Sequence, residues 1–207
     1  MHSRCCFCRG LLAGVSSGVW DTVLLETENH VVVPTKGALV PGWLLVVSKQ
    51  HYICAGALPT EDLRDLGVAV NKARTTIERE FGPATVFEHG PAMAGTALGC
   101  GIDHCHIHVA PLPFSLRDAV EGLATDTDWQ SASGLDALTE LHGRGIGYAY
   151  VEENDGHAVW CRPSGQIRQM LRQAIANALG IGERYDYSMH SFPRNVEETV
   201  KRLSIGL

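Results

Sequence analysis

Positive charge is scarce in this sequence: 17 Lys and Arg stand against 23 Asp and Glu in 207 residues, a formal net charge of −6. With a pI near 5.9 and no basic stripe to displace counterions from a phosphate backbone, a nucleic-acid partner is not expected. A small anion remains open, because a site needs only a few local donors. Long apolar runs are also missing. Leu11-Leu12-Ala13-Gly14-Val15 is too short for a membrane span or a signal peptide. No membrane partner is therefore expected, and a cytoplasmic protein is. Seven cysteines, an odd number, fit reduced thiols or metal ligands better than a disulfide framework.

What is there gathers around Asp103-His104-Cys105-His106-Ile107-His108-Val109-Ala110-Pro111. Residues two apart on a strand share a face, so the spacing puts His104, His106 and His108 on one side and Cys105, Ile107 and Val109 in a core. Near the start, Cys5 and Cys8 form a Cys-x-x-Cys pair. Two thiolates on a tight turn are half of a tetrahedral zinc site, or else a pair of buried or redox-active thiols.

Along the chain, residues 22–27 and 31–33 read as strands joined by a polar turn, and Pro41-Gly42 precedes a buried strand ending near Val47. Leu63, Leu66, Val70, Ala73 and Ile77 repeat at helical spacing, which predicts an amphipathic helix over 58–81 with Thr60 as N-cap. A strand over 84–89 then enters the glycine-rich stretch 90–101, whose backbone N–H groups suit an anion. Beyond Pro113 a short helix over 115–124 and a loop over 125–134 are expected. A hairpin follows, turning at Asn154-Asp155-Gly156, then helices over 165–179 and 194–203. His30, His142, His157 and His190 lie in polar context and read as solvated; Trp160, Tyr185 and Tyr187 read as core or interface.

The pattern resembles the histidine triad (HIT) family of nucleotide hydrolases and transferases. Its His-φ-His-φ-His-φ-φ signature, φ being apolar, stands as His104-Cys105-His106-Ile107-His108-Val109-Ala110. The family's Pro-Gly strand followed by Lys-x-His is similar to Pro41-Gly42-Trp43-Leu44-Leu45-Val46 and Lys49-Gln50-His51. The likeness covers residues 5–113. A more distant one, to galactose-1-phosphate uridylyltransferase and dinucleoside-polyphosphate phosphorylases, rests on Phe87-Glu88-His89-Gly90 and Gly99-Cys100-Gly101. Those proteins end their triad in Gln, whereas this chain has His108.

The resemblance implies an α+β fold: a HIT-like antiparallel sheet with a flanking helix as catalytic domain over 1–113, and an α/β C-terminal extension over 114–207. It implies structural zinc (Zn2+) on Cys5, Cys8, His51 and His104; a hydrogen-bonded His104 without metal is the alternative. It implies His106 as the nucleophile that forms a covalent nucleotidyl-histidine, and His108 as a contact to the phosphoryl oxygens that helps protonate the departing group. Substrate contacts are expected from Thr35, Glu88, Gly99, Cys100 and Gly101, the glycine-loop N–H groups meeting phosphoryl charge. Trp43 replaces the histidine usual after Pro-Gly. The expected function is hydrolysis of a small-molecule nucleotide at a phosphoanhydride or phosphoramidate. The rivals are a nucleotidyltransferase or phosphorylase and a catalytically inactive nucleotide-binding protein. The extension covers the pocket mouth or forms a homodimer contact.

Overall fold

The described residues form one eight-stranded antiparallel sheet, and that sheet places the histidines. A computed structural model describes residues 5–95, 102–124, 127–163 and 169–204. The strands are β1 (Leu25–Glu26), β2 (His30–Pro34), β3 (Leu44–Ser48), β4 (Ala84–Gly90), β5 (His106–Pro111), β6 (Gln130–Ser131), β7 (Tyr148–Glu152) and β8 (Ala158–Cys161). Their order in the sheet is β1-β2-β3-β5-β4-β7-β8-β6. The expected hairpin is β7 and β8, with Gly156 at φ +82° in its turn. Within the stretch expected as loop, β6 adds a two-residue edge. Because β7 pairs with β4, the sheet runs without a break across position 113/114.

The helices are α1 (Cys6–Arg9), α2 (Thr60–Phe81), α3 (Leu116–Glu121), α4 (Ala137–Gly143), α5 (Met170–Ala178) and α6 (Pro193–Leu203). On α2 the residues at helical spacing are buried, Leu66 and Ile77 completely, against Ile107 and Val109 of β5. Glu61 and Asp62 in its first turn suit the positive end of the helix dipole. The N-cap is Pro59, with no side-chain cap bond, so Thr60 is the first helical residue rather than the cap. Residues 165–168, expected as the start of the helix before Gly180, lie outside the described residues; α5 covers the remainder, and Gly180 at φ +70° follows its C-cap. No described helix is long and apolar enough to cross a membrane.

The sheet's other face carries a second core in which Trp43, Phe87, Leu116, Ile175 and Val196 are buried. Gly42 sets the entry to it. Its φ is +87°, and a Cβ there would meet the Phe81 ring at 2.7 Å and Pro111 at 3.0 Å. Only glycine accepts both conditions without strain. One solvated-histidine expectation fails: His30 is fully buried, its Nδ1 2.8 Å from Asp65 of α2. A turn residue became the first residue of β2, and its ring was carried under the helix.

Candidate active site

The antiparallel pairing of β3 and β5 brings Val47 opposite His106. The exit of β3 and the entry of β5 therefore lie at one end of the sheet, and His51 and His104 meet there. The short α1 supplies Cys8, with Cys5 just before it. The ligand atoms of Cys5, Cys8, His51 and His104 all lie within 4.8 Å of one another. His104 Nδ1 is 3.3 Å from Cys5 Sγ, 3.6 Å from Cys8 Sγ and 3.2 Å from His51 Nδ1, and Cys8 Sγ is 3.4 Å from His51 Nδ1. A tetrahedral zinc site with ordinary bond lengths separates N and N by about 3.3 Å and N and S by about 3.5 Å. These four separations match.

The tautomer fits as well. His104 Nε2–H donates to the Ser48 carbonyl at 2.7 Å, which leaves the lone pair on Nδ1, aimed at the other three ligands. Burial above all, then the adjacent Cys8, pushes the Cys5 thiol above its ordinary value. Two thiols so placed gain from a cation between them. The four residues can hold a metal ion.

β5 begins at His106, so the expected face of three imidazoles divides: His104 precedes the strand and belongs to the cluster, and His106 and His108 remain on the sheet. His106 Nδ1–H donates to the His104 carbonyl at 2.6 Å, putting the lone pair on Nε2. His108 is the reverse. The Trp43 indole N–H donates to His108 Nδ1 at 3.1 Å, so the neutral ring carries its proton on Nε2. His108 stacks on Phe87 with centroids 4.7 Å apart and planes at 6°, and it meets His106 edge-on at 5.1 Å. Burial, then His106, Arg172 and His89, holds His108 well below the usual imidazole range.

Both histidines open onto a cleft of about 650 Å³ that is also lined by Thr35, Lys36, Trp20, Asp103, Arg172 and Tyr187. Arg172 comes from α5 in the extension. Its guanidinium lies 4.8 Å over the Trp43 ring and donates to the carbonyls of Tyr185 and Gly37. The pattern-based reading missed it. Its signal was an arginine set between the buried pair Met170-Leu171 and the buried Ala174-Ile175. Tyr187, expected in the core or an interface, lines the cleft.

The remaining expected contacts separate. Thr35 is buried at the cleft, its hydroxyl donating to the Lys36 carbonyl at 3.2 Å. Glu88 is on the opposite face of β4 from Phe87. Its carboxyl oxygens accept from the Ala55 N–H at 2.8 Å and the Tyr148 hydroxyl at 2.7 Å. It does not line the cleft. Gly99, Cys100 and Gly101 lie outside the described residues. His89, two residues beyond Phe87 in the register that pairs Phe87 with His108, falls beside His106. Its Nε2 is buried and has no hydrogen-bond partner among the described residues.

An antiparallel α+β sheet with a histidine triad at one strand end, beside a Cys2His2 cluster, is the class this architecture defines. No family model matches the chain, and no curated protein does. Among solved structures, the chain is similar to a hypothetical protein from Leishmania major at 25% identity, over 56% of this chain and 77% of that one, with a TM-score of 0.46. It is similar to a HIT-like protein involved in cell-cycle regulation from Bartonella henselae at 20% identity, over 54% and 77%, TM-score 0.45. Yeast Ap4A phosphorylase Apa2, solved in complex with AMP, is similar at 15% identity over 92% of this chain and 79% of that one, TM-score 0.43. These TM-scores lie below 0.5, so the functional reading rests on the side chains of the site.

Proposed function

We propose that the protein is a nucleotide hydrolase that cleaves a nucleoside monophosphate from a phosphoanhydride or phosphoramidate through His106. The observation that carries this reading is the hydrogen bond from His106 Nδ1–H to the His104 carbonyl, which fixes a lone pair on Nε2. A neutral imidazole so held is a competent nucleophile. Nε2 attacks the α-phosphorus, the N–P bond forms as the bond to the leaving group breaks, and water then displaces the nucleotidyl group and returns the electron pair to Nε2. His108, 5.1 Å from His106 between ring centroids, supports charge on the phosphoryl oxygens. Lys36 and Arg172 make the cleft favourable to an anion, and we assign the sugar contact to Thr35, which lines the cleft.

Residues 1–113 carry the chemistry in this reading, and 114–207 complete the cleft wall through Arg172 and Tyr187. The metal we assign to Cys5, Cys8, His51 and His104 is zinc, which when bound supplies a structural staple between the N-terminal turn and β5. A second reading, transfer of the nucleotidyl group to a phosphate or metabolite acceptor, is favoured by the size of the cleft and its two cations.

Wild type and His106→Ala, incubated with dinucleoside polyphosphates, nucleoside phosphoramidates and nucleotide sugars, separate these readings by product analysis and by intact mass of the trapped adduct. Wild type should gain the mass of one nucleotidyl group, and the variant should lose both adduct and turnover, by at least ~10²-fold. Unchanged turnover in His106→Ala would remove the nucleophile assignment.

A further inference from the structure

The nucleotidyl reading asks His108 to help the departing group, and the surroundings of that ring limit how it can help. An indole nitrogen only donates. The direction of the 3.1 Å bond between Trp43 Nε1 and His108 Nδ1 is therefore fixed without choosing a tautomer by convention. Protonating His108 would place a second N–H on Nδ1, head-on against the indole N–H. Trp43 has no room to turn aside. It is fully buried, edge-on to Phe87 at 5.5 Å, and covered by the Arg172 guanidinium at 4.8 Å. Among the described residues, the charged and titratable groups acting on His108 are His106, Arg172 and His89, all basic. None of them favours a cation on the ring.

We propose that Trp43 is a positioning residue which holds His108 as a neutral Nε2–H donor, and so biases the site toward leaving groups that depart as anions over amines that need a proton. The inference rests on the reading of His106 as nucleophile. A neutral imidazole gives a hydrogen bond readily, but giving up its proton would leave an imidazolate. With a phosphoanhydride no such transfer is needed. The His106 Nε2 lone pair forms the N–P bond, the P–O bond breaks with its electron pair on the leaving oxygen, and a phosphate or nucleotide anion departs while His108 Nε2–H bonds a phosphoryl oxygen. Water then forms the new P–O bond, its proton passes to solvent, and the N–P electrons return to His106. With a phosphoramidate the departing nitrogen must acquire a proton, and His108 is in the wrong state to supply it.

Two measurements test this. In the wild type labelled with ¹⁵N-histidine, long-range ¹H–¹⁵N correlation spectra should show His108 as the Nε2–H tautomer, and Trp43→Phe should convert it to a mixture or to the cation. For substrates of the same nucleoside, wild-type kcat/KM should favour a dinucleoside polyphosphate over the 5′-phosphoramidate by on the order of 10²-fold or more, the usual contribution of a missing general acid. Trp43→Phe should narrow that ratio by roughly tenfold, chiefly in kcat. An Nδ1–H tautomer in the wild type, equal turnover of the two classes, or an unchanged ratio in folded Trp43→Phe each overturns the proposal. If no substrate is turned over and no adduct forms on His106, the nucleotidyl reading fails instead, and the wild-type spectrum still decides the tautomer.

Discussion

Glu88 and His89 are neighbours in the chain yet face opposite sides of β4, and burial moves their charges in opposite senses. Burial pushes the Glu88 carboxyl up from 4.5 to about 7 and the His89 imidazole down from 6.5 to about 4. Both are held neutral over most of the range between those values. For Glu88 the effect on stability has a definite sign. Below pH 4.5 the carboxyl is protonated whether the chain is folded or not; as pH rises toward 7 the unfolded chain releases its proton first, so stability falls across that window. Glu88→Gln should lose this fall, gaining on the wild type by at most roughly 1.4 kcal/mol per pH unit. Urea midpoints at pH 4.5, 6 and 7.5 measure it, and parallel curves for the two proteins would refute the assignment. At this scale the sequence made identities legible but not faces. The alternation that separates His106 from Ile107 could be read directly, whereas Glu88 was expected at the site and the register with β5 placed its neighbour His89 on that face instead.

The elements that hold the site together are short at the ends and long in the middle. α2 was legible because five apolar residues at helical spacing leave no other structure that buries them. The histidine strand was legible from its alternation, but its first residue was not, because His104 exchanges a place in the ladder for the Ser48 carbonyl and the cysteine cluster. α1 has four residues and cannot be stable on propensity alone; Phe7 packs it against Val31, Val33, Leu45 and Val47, and Cys8 joins it to the four-residue cluster that can hold a metal ion. Cys5→Ser and His51→Ala should each lose about one equivalent of zinc per chain by metal analysis. They should also make the N-terminal turn sensitive to proteolysis, and metal-free wild-type protein would dispose of the assignment. α6 is pinned differently. The Thr199 hydroxyl accepts from the Gly42 N–H at 2.7 Å in a buried bond and donates to the part-buried Asn195 carbonyl at 2.7 Å. Thr199→Val keeps the shape but orphans a buried N–H, and should cost about 1–3 kcal/mol of unfolding free energy in denaturant titration.

For the whole molecule, the continuity of the sheet outweighs the change in sequence character at Pro113. β4 lies between β5 and β7, so a chain ending at 113 would expose one side of β4 along its length. It would also uncover Trp43 and Phe87 by removing α5 and its Arg172. Residues 1–113 expressed alone should lack a cooperative unfolding transition and bind a hydrophobic dye; a folded, zinc-loaded fragment would contradict this. The extension's strands were legible from Asp155-Gly156, but their partner was not, since pairing of β7 with β4 joins residues about sixty positions apart and leaves no local trace.

The two ends of that sheet are β1 and β6, each only two residues long. An open row of amide and carbonyl groups invites another chain to add a strand, and proteins commonly blunt it by keeping the outermost strand brief. Here a docking strand finds two residues of regular edge at either side, too few to fix a register. Among the described residues the sheet reaches eight strands inside one chain while offering little template for runaway growth between chains.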